Sequence, residues 1–318
     1  MSALGAAAGL STPLSTFVGL PATPPDPRFS TVTEIGNPGV SNYNGLTASF
    51  SRNINTSLQV YASFTWSHAL DDVSNGGFLP FNFDTNTAIL DPQDPHNFKR
   101  YNYGNADYDV RKQFNLTYVY NTPNLHSALW NALLDWTISG TIFARSGLPF
   151  TAIDSASTGL LAGYNYGPDP TGFGPTLFAN SSVGPISCSS SAAFNVAAAT
   201  PTPCMTPAEF SSAVGPGGIA TFGNQRRNQI YGPMYFDTDM TIMKNFRIPH
   251  WEGAEFQIGA QAFNLFNHPN FDQPIGDVAS TQFGSSVRTV ATPTSIFGSF
   301  LGADASPRAL QIRAQLRF

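Results

Sequence analysis

Apolar and polar residues alternate with period two in segment after segment of this chain, and that period marks strands with two chemically different faces. The cleanest case is the last eleven residues, Arg308 to Phe318, where Leu310, Ile312, Ala314, Leu316 and Phe318 alternate with Gln311, Arg313, Gln315 and Arg317. Leu58, Val60, Ala62, Phe64 and Trp66 oppose Gln59, Ser63, Thr65 and Ser67. Val110, Phe114, Leu116, Tyr118 and Tyr120 oppose Asp109, Arg111, Gln113, Asn115 and Thr117, with Lys112 as an exception expected near a membrane boundary. Leu134, Trp136, Ile138, Gly140, Ile142 and Ala144 oppose Asp135, Thr137, Ser139, Thr141 and Arg145. Phe236, Met240, Ile242, Phe246 and Ile248 oppose Asp237, Asp239, Thr241, Asn245 and Arg247. Phe256, Ile258, Ala260 and Ala262 oppose Glu255, Gln257 and Gln261, and the phase slips at Phe263, as at a bulge or a strand end. Weaker alternation predicts a strand at about 43–52, and the weakest lies at 29–35, about eight strands in all.

The connections between these strands are lopsided. Short turns are expected at about 53–57, 121–133 and 249–253, and long irregular stretches at about 70–107, 147–231 and 268–306. Short turns at one end and long loops at the other is the plan of an outer-membrane barrel, with turns in the periplasm and loops outside the cell. A terminal amphipathic strand closing on an aromatic fits the same plan. The reading is therefore an all-β fold, an antiparallel transmembrane β-barrel segment whose apolar flanks face lipid. The rival is a secreted or surface-attached β-rich binding or adhesion protein, which would press those flanks together in a two-sheet core.

Composition favours the membrane. Only 11% of the 318 residues are charged, against 42% hydrophobic and 13% aromatic, whereas a soluble domain carries roughly a quarter charged residues. A barrel wall explains the deficit, because Lys or Arg on its lipid face costs about 2–4 kcal/mol at mid-depth. No run approaches the roughly eighteen apolar residues of a spanning helix, and only closed barrels let strands cross lipid without orphaned amides. A net charge of −5 and no Lys/Arg stripe argue against nucleic acid. Tyr108, Tyr120, Trp66, Trp136, Tyr231, Tyr235 and Trp251 either form interfacial girdles or reflect the preference of aromatics for strands.

Catalytic chemistry is not legible. His68, His96, His126, His250 and His268 are scattered, with neither H-E-x-x-H nor C-x-x-C spacing, and no G-x-S-x-G elbow or phosphate loop occurs. No enzyme activity, catalytic residue, cofactor or metal is expected. Asp71 with Asp72, and Asp91 and Asp94 near His96, could supply calcium oxygens in an external loop, but turn chemistry is the favoured account. Cys188 and Cys204, the two cysteines, share one external loop and are expected to form a structural disulfide worth about 3 kcal/mol.

Six segments together resemble one known family: S-N-Y-N-G-L-T-A-S-F-S-R (41–52), A-S-F-T-W-S-H-A-L-D-D (62–72), D-Y-D-V-R-K-Q-F-N-L-T-Y-V-Y (107–120), R-S-G-L-P-F (145–150), F-G-N-Q-R-R-N-Q-I-Y-G-P (222–233) and F-N-L-F-N-H-P-N-F (263–271). In this order, from about residue 29 onward, they look like the C-terminal barrel of TonB-dependent, Oar-like outer-membrane receptors. The resemblance implies a transporter in the outer membrane of a Gram-negative-type bacterium, with a barrel of about 22 strands around an N-terminal plug. About eight strands would be a partial wall of it, so residues 29–318 are expected to be the C-terminal part of the barrel and 1–28 a poorly structured N-terminal segment. No plug or TonB box is readable, and M-S-A-L-G-A-A-A-G-L lacks the basic start of a secretory signal; the simplest expectation is a C-terminal fragment. Its implied partners are outer-membrane lipid, the barrel assembly machinery reading the terminal strand Leu310, Ile312, Ala314, Leu316 and Phe318, the missing strands and plug, TonB through that plug, and a ligand the sequence does not name.

Overall fold

The computed structural model describes residues 39–54, 57–72, 99, 103–122, 135–154, 177–188, 203–212, 223–248, 254–287, 289 and 307–318. In chain order the strands are β1 (Ser41–Ile54), β2 (Leu58–Asp71), the two-residue β3 (Gly104–Asn105), β4 (Lys112–Asn121) and β5 (Trp136–Arg145). Seven two-residue strands follow: β6 (Pro149–Phe150), β7 (Ile153–Asp154), β8 (Leu177–Phe178), β9 (Asn180–Ser181), β10 (Ile186–Ser187), β11 (Phe210–Ser211) and β12 (Ile230–Tyr231). The chain closes with β13 (Tyr235–Arg247), β14 (Glu255–Phe263) and β15 (Ala309–Arg317).

The seven long strands form one antiparallel meander, β1-β2-β4-β5-β13-β14-β15, in which each strand pairs with the next long strand along the chain; β3 adds to the far end of β2. Short hairpins set three of the six pairings, β1-β2, β4-β5 and β13-β14, at the least entropic cost of closure, and long loops join the other three. Among the described residues β1 and β15 are the two edges, and no pairing joins them. At roughly 3.3 Å per residue, strands of nine to fourteen residues are about 30–46 Å long. Tilted by roughly 40°, they cover the apolar band of about 25 Å that a barrel wall must cross.

Register decides which residues share a face, because paired positions in a sheet point the same way. One row runs across every long strand as Ile54, Leu58, Tyr120, Ile138, Ile242, Ala260 and Ile312. Another holds Phe50, Ala62, Leu116 and Ile142, and at the end of the wall Phe246, Phe256 and Leu316 align. The opposite face carries Asn53, Gln59, Val119, Ser139, Thr241, Gln261 and Gln311 in one row. The apolar face is exposed at Leu46, Phe50, Phe64, Trp66, Phe246, Phe256, Ile258, Leu310, Ile312 and Leu316. Water tolerates no contiguous apolar band of that extent on a monomer, and no second sheet covers it among the described residues. The two-sheet core required by the secreted-protein reading is absent there.

Charge on this apolar face is confined to strand ends. Lys112 opens β4, Arg52 stands two residues from the end of β1, and Lys244 lies three from the end of β13. The Lys244 ammonium sits 5.5 Å from the Trp136 ring centre and 5.7 Å from that of Phe246, an arrangement in which aromatic faces offset part of the cation's lost hydration. At mid-wall Gly140 leaves room for its cross-strand neighbour: a Cβ there would fall 2.7 Å from the Tyr118 hydroxyl and 2.5 Å from the Asp239 carbonyl oxygen.

Several sequence expectations are corrected. Asp109, Val110 and Arg111 precede β4 rather than belonging to it, because the chain turns at 107–108 to bring Asp109 under β2. Asp135 adopts φ +69 outside β5, and Ile248 falls just past β13. The phase slip at Phe263 is a strand end, forced by Asn264 at φ +47. Seven long strands are seen among the described residues; the eighth, at 29–35, lies outside them, as do Leu134 and Trp251.

The long stretch 147–231 is not simply irregular. Its described parts join residues 264–287 in a cap at the long-loop end, with Phe150, Ala152, Ala179, Cys188, Met205, Phe210, Ile230 and Phe283 buried together. Here the apolar residues do face one another, as in a soluble domain, and the mixed β10-β12-β6 sheet and the β7-β8 and β9-β11 pairs frame them. Cys188 and Cys204 are bonded to each other within this core.

Candidate functional site

Two surfaces of the wall carry chemistry: the polar face, and the rim where the cap is fastened to the strand ends. The rim is centred on Arg227, buried at 4% exposure. Its guanidinium donates to the Asp71 carboxylate at 2.7 Å and backbone carbonyl at 3.0 Å, and to Asp107 at 3.2 Å. Asn228 beside it takes φ +55, a conformation its short polar side chain tolerates. From there it donates to the Asn105 carbonyl and the Asp107 carboxylate at 2.8 and 2.5 Å, while its own carbonyl accepts from the Asn105 amide at 2.7 Å. Thr151 of the cap donates to the Asn228 side chain and accepts from its backbone N–H. One dipeptide thus ties β2, β3 and the cap together.

Side-chain amides finish other strand ends by imitating a neighbouring backbone. Gln225 accepts from the Ala152 N–H and donates to the Ala152 carbonyl, at 3.0 and 3.2 Å. Asn270 does the same for Phe236, with both bonds at 2.8 Å. Asn264 clasps both backbone groups of His268, and Asn267 accepts from the Arg308 N–H at the start of the last strand. These bonds satisfy amides that would otherwise lack partners where the sheet stops. Sequence reasoning missed all of these roles, since an Asn or Gln in a loop carries no period; the only signal was their place in two of the quoted segments.

Asp71 and Asp72 serve different partners. Asp71 holds Arg227, whereas Asp72 accepts the Val40 N–H at the start of β1 with both oxygens, at 2.9 and 3.1 Å. The turn expected after them, at 73–77, lies outside the described residues. Asp91, Asp94 and His96 lie outside the described residues, with His126 and His250. Among the described residues no three His, Cys, Asp or Glu side chains form a metal-holding group. His68 bonds Asn105 at 2.9 Å, and His268 packs edge-on against Phe236.

Burial pushes the Asp109 carboxyl up from its ordinary range, against the Ala69 N–H bond at 2.7 Å and the Arg111 charge, which pull it down. Arg111 Nε lies 2.9 Å from the second Asp109 oxygen as an ion pair without hydrogen-bond geometry, its N–H being directed to the Tyr231 hydroxyl at 3.3 Å. Tyr108 is raised as well, first by burial and then by the Asp71 charge. Tyr108, Tyr231 and Tyr235 thus belong to the rim and cap rather than to a girdle. Trp66 lies in the loop-end half of the apolar face, and Tyr120 and Trp136 lie on that face at the turn end.

The terminal strand pairs with β14 along its length, placing Leu310, Ile312, Ala314 and Leu316 opposite Ala262, Ala260, Ile258 and Phe256. Phe318 follows the last pair and is 88% exposed. No curated protein and no solved structure matches the chain. A protein-family model described as Outer membrane beta barrel domain matches residues 5–311, a span that takes in the meander as far as the first three residues of β15. A one-sheet wall, an exposed apolar flank, a polar opposite face and a match over nearly the full length agree, and the chain belongs to the outer membrane beta barrel domain family, forming membrane wall in the outer membrane of a Gram-negative bacterium.

Proposed function

We propose that this chain is the C-terminal part of the barrel of a TonB-dependent, Oar-like transporter, whose polar face lines the path of a ligand and whose cap receives that ligand from outside. The observation that carries the reading is the pairing of a hydrophilic inner face with a folded, disulfide-stapled cap at the loop end. A purely structural wall needs only short loops. The six family-like segments support it too, because they supply the rim: Asp71, Asp107, Arg227, Asn228, Asn264 and Asn270 all come from them. On this reading the plug and the remaining strands are partners in the same receptor, TonB acts through the plug, and the chain performs no covalent chemistry and holds no cofactor. Nucleic acid is no partner.

Two measurements test it. Reading the gene upstream of Met1 should reveal, in frame, a plug and a carboxypeptidase-like N-terminal domain; an unrelated gene ending there removes the TonB assignment while leaving the wall in place. Phe318→Ala should reduce insertion by the barrel assembly machinery, seen as loss of heat-modifiable protein from outer membranes. Normal insertion of that variant would deny the last residue a role as assembly signal.

A further inference from the structure

The apolar face changes character at its loop end. On β1, β2 and β4 the register sets Leu46, Trp66 and Lys112 in one row, Asn44 and His68 in the next, and Asn42, Leu70 and Asn105 in the row beyond. Neighbours within a row stand about 5 Å apart and successive rows about 7 Å, so Lys112, Trp66, His68 and Asn44 occupy a patch the size of one phosphorylated sugar. It lies on the lipid-facing side of the wall, where a plug or any other occupant of the lumen does not reach.

Charge on this face has one sign. In the long strands its charged residues are Arg52, Lys112 and Lys244, whereas the acids Asp71, Asp237, Asp239 and Glu255 all lie on the opposite face. The carboxylates nearest the patch are buried and already engaged, Asp71 by Arg227, Asp109 by Arg111 and Asp72 by the Val40 N–H. Lys112 and Trp66 are exposed, and neither the ammonium nor the indole N–H meets an acceptor among the described residues. The amides beyond them are half used. Asn44 donates to the Asn42 oxygen at 2.6 Å, which leaves the Asn44 oxygen and the Asn42 NH2 to solvent. Asn105 donates to the Asn228 carbonyl, so its own oxygen is turned to His68 and accepts from Nε2 at 2.9 Å. That bond fixes the proton of a neutral His68 ring on Nε2 and leaves Nδ1 as an acceptor.

A cation and an indole donor at the lipid border match an anionic group at headgroup depth. Amides and an imidazole in the rows beyond match hydroxyls attached to that group. We propose that this patch binds the phosphorylated sugar headgroup of an outer-leaflet glycolipid, with Lys112 and Trp66 on phosphate, His68, Asn42 and Asn44 on sugar hydroxyls, and the apolar rows below against its acyl chains. A phospholipid supplies the phosphate but no sugar ring to reach the outer rows. The inference rests on the wall standing in the outer membrane with its long loops outside, and it goes beyond the transporter reading because it needs neither plug, TonB nor transported ligand.

The test uses the detergent-purified full-length chain and titration by native mass spectrometry. The probes are deep-rough lipopolysaccharide, the same lipid after enzymatic removal of its phosphates, and phosphatidylglycerol. Intact lipopolysaccharide should bind roughly tenfold or more tightly than either of the others, the scale of one charge-assisted hydrogen bond. Lys112→Gln should weaken it by about the same factor, and Trp66→Phe, which keeps a ring but removes the N–H, by about threefold. Asn44→Ala should weaken lipopolysaccharide and leave phosphatidylglycerol unchanged. Arg52→Gln, which removes a cation of the same face at the turn end, should alter neither. Equal binding of the dephosphorylated lipid or of phosphatidylglycerol, no binding of any probe, indifference to Lys112→Gln, or an equal loss with Arg52→Gln overturns the proposal. Heat-modifiable migration of each variant reports whether its wall is folded: an inserted chain without preference for lipopolysaccharide refutes this site alone, whereas a water-soluble chain refutes the wall on which it rests.

Discussion

Leu116 and Thr117 are neighbours in sequence on opposite faces of β4, a strand paired on both sides, and they offer the sharpest test of the lipid assignment. Leu116 is half-buried between Ala62 and Ile142, the fifth residue of a ten-residue strand. Leu116→Arg puts a guanidinium near the middle of the apolar band, at a cost of about 2–4 kcal/mol. With tenfold per about 1.4 kcal/mol, that is roughly a 30- to 700-fold shift toward the unfolded chain. Thr117→Arg meets water and should stay within about 0.5 kcal/mol of wild type. Burial in a packed protein interior would also punish Leu116→Arg, so a third variant is needed. Leu116→Trp adds bulk that lipid accommodates, and it should lose no stability, whereas a close-packed core loses about 1–3 kcal/mol to overpacking. Reversible urea unfolding in thin-bilayer vesicles, read by heat-modifiable migration and fluorescence, measures all three. Equal penalties for the two arginines, or a loss of about 1–3 kcal/mol with tryptophan, would refute the assignment of faces.

Other consequences are confined to the rim and cap. Arg227→Met leaves Asp71 and Asp107 without their guanidinium and should destabilise the cap attachment by about 3–5 kcal/mol, seen as faster hydrogen exchange at Ala69 and Ala152; adding Asp71→Asn should recover part of the loss. Replacing Cys188 and Cys204 with serine removes the closure of a loop of sequence separation 16, worth about 3 kcal/mol on the chain-entropy estimate, so limited proteolysis should cut the cap sooner while the wall keeps its heat-modifiable migration. Asp109 has a raised carboxyl pKa in the folded rim, so its stabilising contribution is complete below the ordinary carboxylate pKa and is lost as pH rises through the folded value. Protection of the Ala69 amide, after correction for intrinsic exchange, should therefore fall as pH rises above the ordinary carboxylate range, and Asp109→Asn should flatten that profile; an unchanged slope would remove Asp109 as its cause.

Period-two alternation made the wall legible from sequence alone, because membrane crossing imposes one rule, apolar outward and polar inward, on most residues of each long strand. Leu310 to Phe318 needed no partner to reveal which of its faces was which, and the short hairpins dictated three of the six pairings, β1-β2, β4-β5 and β13-β14. Tertiary structure decided what happens where that rule stops. Nothing in the order of residues says that Arg227 reaches Asp71 across 156 positions, that Gln225 and Asn270 stand in for missing strands, or that Phe150, Met205, Phe210 and Phe283 meet in a cap. Beyond the bilayer the chain returns to water, where a side chain's partner is set by the closure of long loops rather than by a repeating environment. The polar rows of the wall belong to both: each strand shows its polar face in sequence, but only the register of the sheet sets those faces side by side.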